Sequence, residues 1–197
     1  PDYLLSMWLS ASDESVVIGL LADESLRGER EINTPNNNRV AALKGGRQPL
    51  RNRSGLLGLN ACKLIPSKYA KRIKYEDSLV SGEDTVFMSQ LLEFEDLTLV
   101  PCAPMAGSMY VRRMSDNSVS RQPESFDFCV TQRIAVINCL IETRNRIHKK
   151  NAGAINYLID NQASFIRKYY SSNPSRQREV KDFISSNCID RKVVRLG

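Results

Sequence analysis

Residues 79–92 read LVSGEDTVFMSQLL, and the way this stretch is read decides the reading of the whole chain. The apolar residues after Gly82 recur at helical spacing, so a helix begins near Glu83. Ser81 followed three places later by Asp84 has the pattern of a capping box, and two acids in a first turn suit the positive end of a helix dipole. On these fourteen residues alone, Glu83 and Asp84 are ordinary helix-start residues.

On either side the character alternates. GLLGLNACKLIP (55–66) is apolar, and PSKYAKRI reads as a short helix with Pro66 at its start. LTLVPC (97–102) and GSMYVRRM (107–114) read as strands, as does SVVIGLL (15–21), a single buried one. Residues 22–54 are polar and rich in Asn, Arg and Gly. They read as a long loop with room for one short strand, of a length that marks a functional or mobile segment. At the start, PDYLLSMWLS places Leu4, Leu5, Trp8 and Leu9 on one face of a helix. From Glu124 onward two amphipathic stripes appear, Phe126–Val130–Ile134–Ile137–Ile141 and Ile155–Ile159–Ala163–Ile166–Tyr170. Asn173-Pro174 ends the second, and Val180, Phe183 and Ile184 mark a third, shorter helix. The expected fold class is α/β: a partial mixed sheet with flanking helices over residues 1–122, then a helical extension over 123–197.

Composition narrows the possible partners. The 197 residues suffice for one domain with a proper core, or for one domain with an appendage. Lys and Arg total 28 against 22 acids, a net charge of +6, which suits a nucleotide diphosphate, a nucleic acid or an acidic lipid surface. No apolar run approaches the length of a bilayer crossing, and no signal peptide is expected from the opening residues. The five cysteines are odd in number and form no C-x-x-C pair, so neither a disulfide scaffold nor a zinc site is indicated. Free thiols suit a reducing compartment, hence an expected cytoplasmic location. A single histidine, His148, gives little material for a His-dependent triad, and it is expected as a cation near a helix C-terminus.

In order, NACKLIPSKYAKRI, GEDTVFMSQLL and two strands ending in YVRRMSDNSVS resemble the C-terminal half of a family 2 glycosyltransferase catalytic domain of GT-A fold. The matching elements are Asn60, Lys63-Leu64-Ile65, Glu83-Asp84, Phe87, Tyr110 and Ser118-Val119-Ser120. Pro1-Asp2-Tyr3-Leu4 resembles the segment that follows the family's acidic D-x-D metal site. The resemblance implies that residues 1–122 are the acceptor-side half of a GT-A-like domain. The nucleotide-binding half and the D-x-D have no counterpart here. The chain is then a fragment of a longer enzyme, as the PDYLL opening favours, or a reduced relative that no longer transfers sugar; alone it is expected to be inactive. A divalent cation, Mg or Mn, is expected in the complete enzyme, with its ligands outside this chain.

The same resemblance implies inverting transfer from a nucleotide-sugar donor to a polysaccharide, glycoconjugate or lipid-linked acceptor, as in capsule or other cell-envelope assembly. Asp84 is then the general base, a carboxylate kept ionised by the helix dipole and nearby N–H donors. Glu83 positions or binds the acceptor. Arg112, Arg113 and Arg121, with Ser118 and Ser120, are candidates for holding phosphate oxygens; the alternative is a solvated strand edge. Asn60 is a candidate partner for the acceptor sugar or, equally, a turn-former. Arg144, Arg146, Lys149 and Lys150 on the helical tail are candidates for peripheral contact with the inner face of a membrane, or form a solvated face. A second function class stays open: a non-catalytic basic module that binds a polyanion or nucleic acid. Few aromatics interleave with the basic residues, so nucleic acid is not favoured.

Overall fold

The computed structural model describes residues 2–44, 46–103, 109–114 and 124–196. Its apolar run at 15–21 is two strands rather than one: β1 (Ser15–Ile18) and β2 (Leu21–Glu24) belong to different sheets. The break falls at Gly19, where a Cβ would lie 2.7 Å from a ring carbon of Tyr3 and 3.1 Å from Met7 Sδ. Only a bare backbone lets helix α1 (Asp2–Leu9) come this close.

The first sheet has the order β4-β6-β1-β5, where β4 is Gln48–Pro49, β5 Lys63–Leu64 and β6 Thr98–Pro101. β1 runs parallel to β6, with Val16 opposite Leu99, and the other two pairings are antiparallel. The second sheet is β3 (Arg30–Glu31), β2 and β7 (Tyr110–Arg113); β2 lies parallel to β7 and antiparallel to β3. Both sheets are therefore mixed, and the fold is α/β.

The polar stretch 22–54 carries more structure than a loop with one strand. Besides β3 and β4 it holds helix α2 (Pro35–Ala41) and a 3₁₀ turn (Leu50–Leu56). Thr34 caps α2, its Oγ1 accepting from the Asn37 N–H at 3.2 Å, with Pro35 at the first helical position. The Asn37 amide ties α2 down: it accepts from the Leu21 N–H at 3.0 Å and donates to the Leu21 and Ile32 carbonyls at 2.7 Å.

Short helix α3 (Ser67–Ala70) and then α4 (Glu83–Gln90) follow. The tail is α5 (Gln132–Arg146), preceded by one π-helical turn (Asp127–Thr131), then α6 (Ala152–Ser172) and α7 (Gln177–Asn187). Val130, Ile134, Ile137, Ile141, Ile155, Ile159, Ala163 and Ile166 of the two stripes are all buried. Each such Val or Ile side chain contributes roughly 1.5–3 kcal/mol on burial. They join Val16, Ile18, Leu57, Met88 and Leu99 in one core, so packing is continuous across the 122/123 boundary. α5 packs on α4, and α6 on the 3₁₀ turn.

One amphipathic pattern runs the other way. On α1 it is Ser6 and Met7 that face inward, while Leu4, Leu5, Trp8 and Leu9 are exposed, Trp8 by 68%.

Candidate active site

Helix α4 does not start as its sequence suggests. Gly82 is its N-cap, with φ of +89°, and no side chain caps it. Ser81 Oγ instead accepts from Arg133 Nη2 at 2.6 Å, so the capping box does not form. A Cβ on Gly82 would lie 2.7 Å from Val136 Cγ2, and the positive φ independently favours glycine. The turn that presents Glu83 and Asp84 is thus pressed against two residues of α5.

Arg133 is the unusual member of this contact. It is buried, yet among the described residues no carboxylate comes within ion-pair distance. Its guanidinium donates to Gln162 Oε1 at 2.9 Å and to the Phe128 carbonyl at 3.2 Å, and lies 4.6 Å from the centre of the Phe128 ring. Burial pulls its pKa down, and the Glu83 carboxylate only partly opposes that shift. A guanidinium satisfied by neutral acceptors is costly to bury and more costly to leave half-satisfied. Sequence reasoning missed Arg133, because a basic residue in an amphipathic stripe gives no sign that it points inward.

Beyond the cap, buried Thr85 directs Oγ1 to the Gly58 carbonyl at 3.4 Å, bringing the 58–60 turn beside the start of α4. Asn60, Lys63, Tyr75 and Glu83 gather around the half-buried Asp84 carboxylate. Burial raises the Asp84 pKa and the neighbouring Glu83 charge adds to the rise; a backbone hydrogen bond from Asn60 and the Lys63 ammonium only partly oppose it. The helix dipole was expected to hold this carboxyl low. Desolvation and like charge win instead, so Asp84 is a stronger base than a free aspartate.

Its neighbours are tuned with it. Burial pushes the Lys63 ammonium down to about 8, against the opposing pull of Cys62 and Asp84. Its Nζ donates to the Leu59 carbonyl. Burial and then the Asp84 charge raise the Tyr75 phenol, which accepts from the Asn60 side-chain amide. The Tyr75 ring stacks on Phe87 with centroids 4.2 Å apart. Asn60, Glu83 and Asp84 were legible as candidates in the sequence. Tyr75 was not, since nothing marks one aromatic within KYED.

Arg112 and Arg113 lie on β7, each paired with an acid of β2. Arg112 grips Asp23 with two bonds, at 2.7 and 2.8 Å, and Arg113 lies 3.7 Å from Glu24, which also holds Arg30. A phosphate at this edge would have to share guanidiniums that already carry counter-charges. Ser118, Ser120 and Arg121 lie outside the described residues.

No family model, curated protein or solved structure matches the chain. The site therefore rests on its own geometry. Among the described residues no three acidic, His or Cys side chains converge to hold a metal ion, and no helix is long and apolar enough to cross a membrane. All five cysteines are free thiols. His148 caps a 3₁₀ turn, its Nδ1 accepting from the Lys150 N–H at 3.2 Å. The basic tail is largely neutralised: Arg144 pairs with Asp190 at 3.3 Å, Arg146 with Glu93 at 3.3 Å, and Lys150 with Glu95.

Proposed function

We propose that this chain carries the acceptor-side, base-bearing half of an inverting glycosyltransferase with a partial GT-A-like sheet. In the reaction, Asp84 takes the proton of an acceptor hydroxyl as that oxygen bonds to the anomeric carbon of the donor. The bond from that carbon to the diphosphate breaks, and its electron pair leaves with the nucleoside diphosphate. The observation that carries the reading is the Asp84 carboxylate itself. It is half-buried, made more basic by burial and by Glu83, and among the described residues no guanidinium pairs with it.

Asn60, whose backbone touches Asp84 and whose amide meets Tyr75, is suited to orient the incoming hydroxyl. Glu83 supports the raised basicity of Asp84, a positioning role. General-base catalysis of this kind supplies about 10²- to 10⁴-fold in rate. The divalent cation expected for leaving-group charge finds no set of ligands among the described residues, so what these residues do stops at the proton.

A cytoplasmic location and a saccharide or lipid-linked acceptor at the membrane belong to the same proposal. A polyanion-binding module is less well supported, because Arg144, Arg146 and Lys150 spend their charge on acids of this chain. The experiment is Asp84→Asn in the complete enzyme, assayed for transfer from nucleotide sugars. Turnover should fall while donor affinity is retained; unchanged turnover would overturn the assignment.

A further inference from the structure

A cleft of about 400 Å³ opens where α2, the 3₁₀ turn, β7 and the first half of α6 meet, and none of the groups assigned above uses it. Its walls come from the polar 22–54 stretch and the helical tail. Asn33, Asn36 and Arg39 stand on one side, Tyr157 and Asn161 on the other, and Gly55 and Gly58 between. Gly55 is what lets the sides converge: a Cβ there would lie 2.8 Å from Arg39 Nε and 3.3 Å from Tyr157 Oη.

The cleft is charged but balanced. Asp23 and Arg112 neutralise each other in their two-bond pair, and Glu31 and Arg39 are one acid and one base. A diphosphate or nucleic acid would find no surplus of positive charge. Three side-chain amides, each both donor and acceptor, match hydroxyls, which are also both. The only described partner of the Asn36 amide is the Cys62 sulfur at 3.9 Å, a weak one that a hydroxyl would improve on. Tyr157, 39% exposed, adds an aromatic surface with a polar tip. The cleft also adjoins the base: Gly58 and Leu59 line it, and the next residue, Asn60, meets Asp84.

From this we infer that the cleft is a binding site for a neutral, hydroxyl-rich saccharide, the acceptor chain of the transfer reaction. Only the word acceptor rests on the transferase reading, since saccharide binding is measurable without turnover.

The test presents the chain to an array of neutral, uronate-bearing and sulfated oligosaccharides, then measures the best neutral binder by calorimetry. Tyr157→Ala should weaken it about tenfold or more, a loss of ~1.4 kcal/mol. Gly55→Ala, which pushes Arg39 into the space, should weaken it about threefold. Thermal melts of the Gly55 and Tyr157 variants serve as the folding control, and Asn161→Ala replaces either one that fails to fold. The inference is overturned if no neutral oligosaccharide binds, if only acidic ones do, or if these variants bind as the parent does. Transfer that Asp84→Asn abolishes, with an acceptor KM unmoved by Tyr157→Ala, would sink the cleft alone. Saccharide binding here without transfer by the complete enzyme would sink the transfer reading alone.

Discussion

Asp23 and Asp84 are both partly buried acids, and the structure treats them in opposite ways. Asp23 on β2 receives a guanidinium fork from Arg112, two short bonds that leave its charge fully answered. Asp84 at the head of α4 receives one backbone donor, a depressed lysine and a second acid. An answered carboxylate holds a sheet edge together. An unanswered one keeps its affinity for a proton, which is what a base requires.

The contrast is tested most severely by neutralising each acid in turn. Asp84→Asn should cost about 10²- to 10⁴-fold in turnover. It should also leave Tm unchanged or raise it. Because the folded-state pKa of Asp84 is raised, the native protein binds this proton more tightly than the unfolded chain. The group's contribution is therefore full at acid pH and is lost as pH rises through the raised value. At neutral pH the charge is a burden that asparagine removes. A clear fall in Tm would mean that Asp84 is structural.

A comparably large effect, on stability, should follow from the group behind the turn. Arg133→Met leaves Gln162 and the Phe128 carbonyl without their donor and frees Ser81. A loss of about 2–4 kcal/mol is expected, read from the urea midpoint, with turnover falling as the 81–84 turn loosens. Asp23→Asn should act in the reverse sense to Asp84→Asn, lowering stability by about 1 kcal/mol, since the pair it breaks is partly exposed. Should both asparagine variants shift Tm in the same direction, the distinction between the two acids fails.

The smallest effect belongs to Lys63. Its folded pKa of about 8 lies below that of a free lysine, so the native state holds this proton more weakly than the unfolded chain does. Between pH 8 and the ordinary lysine range, stability from this group rises with pH. The Tm difference between parent and Lys63→Met should therefore move in the parent's favour above about pH 8 and stay flat below it.

The tail helices were legible because their burial depends on periodicity alone; Ile134, Ile137, Ile155 and Ile166 face the core as their spacing requires. Three features were hidden for different physical reasons. The split between β1 and β2 turns on a long-range contact of Gly19 with Tyr3, which no local pattern encodes. The inward arginine at 133 is indistinguishable in sequence from a solvated one. The direction of the Asp84 shift depends on desolvation, a property of the folded surroundings rather than of the helix start. Helix α2 was available: Thr34-Pro35 is a cap followed by a first-position proline, outweighed in the reading by the asparagines that follow.

The outward turn of α1 has a practical consequence for spectroscopy. The chain's only tryptophan is already bathed in water in the native state, so its fluorescence will barely change on unfolding, and denaturation is better followed by circular dichroism. The same exposure makes Trp8 an intrinsic reporter for anything that covers that helix: a blue-shifted emission maximum on mixing would register the encounter without any added dye.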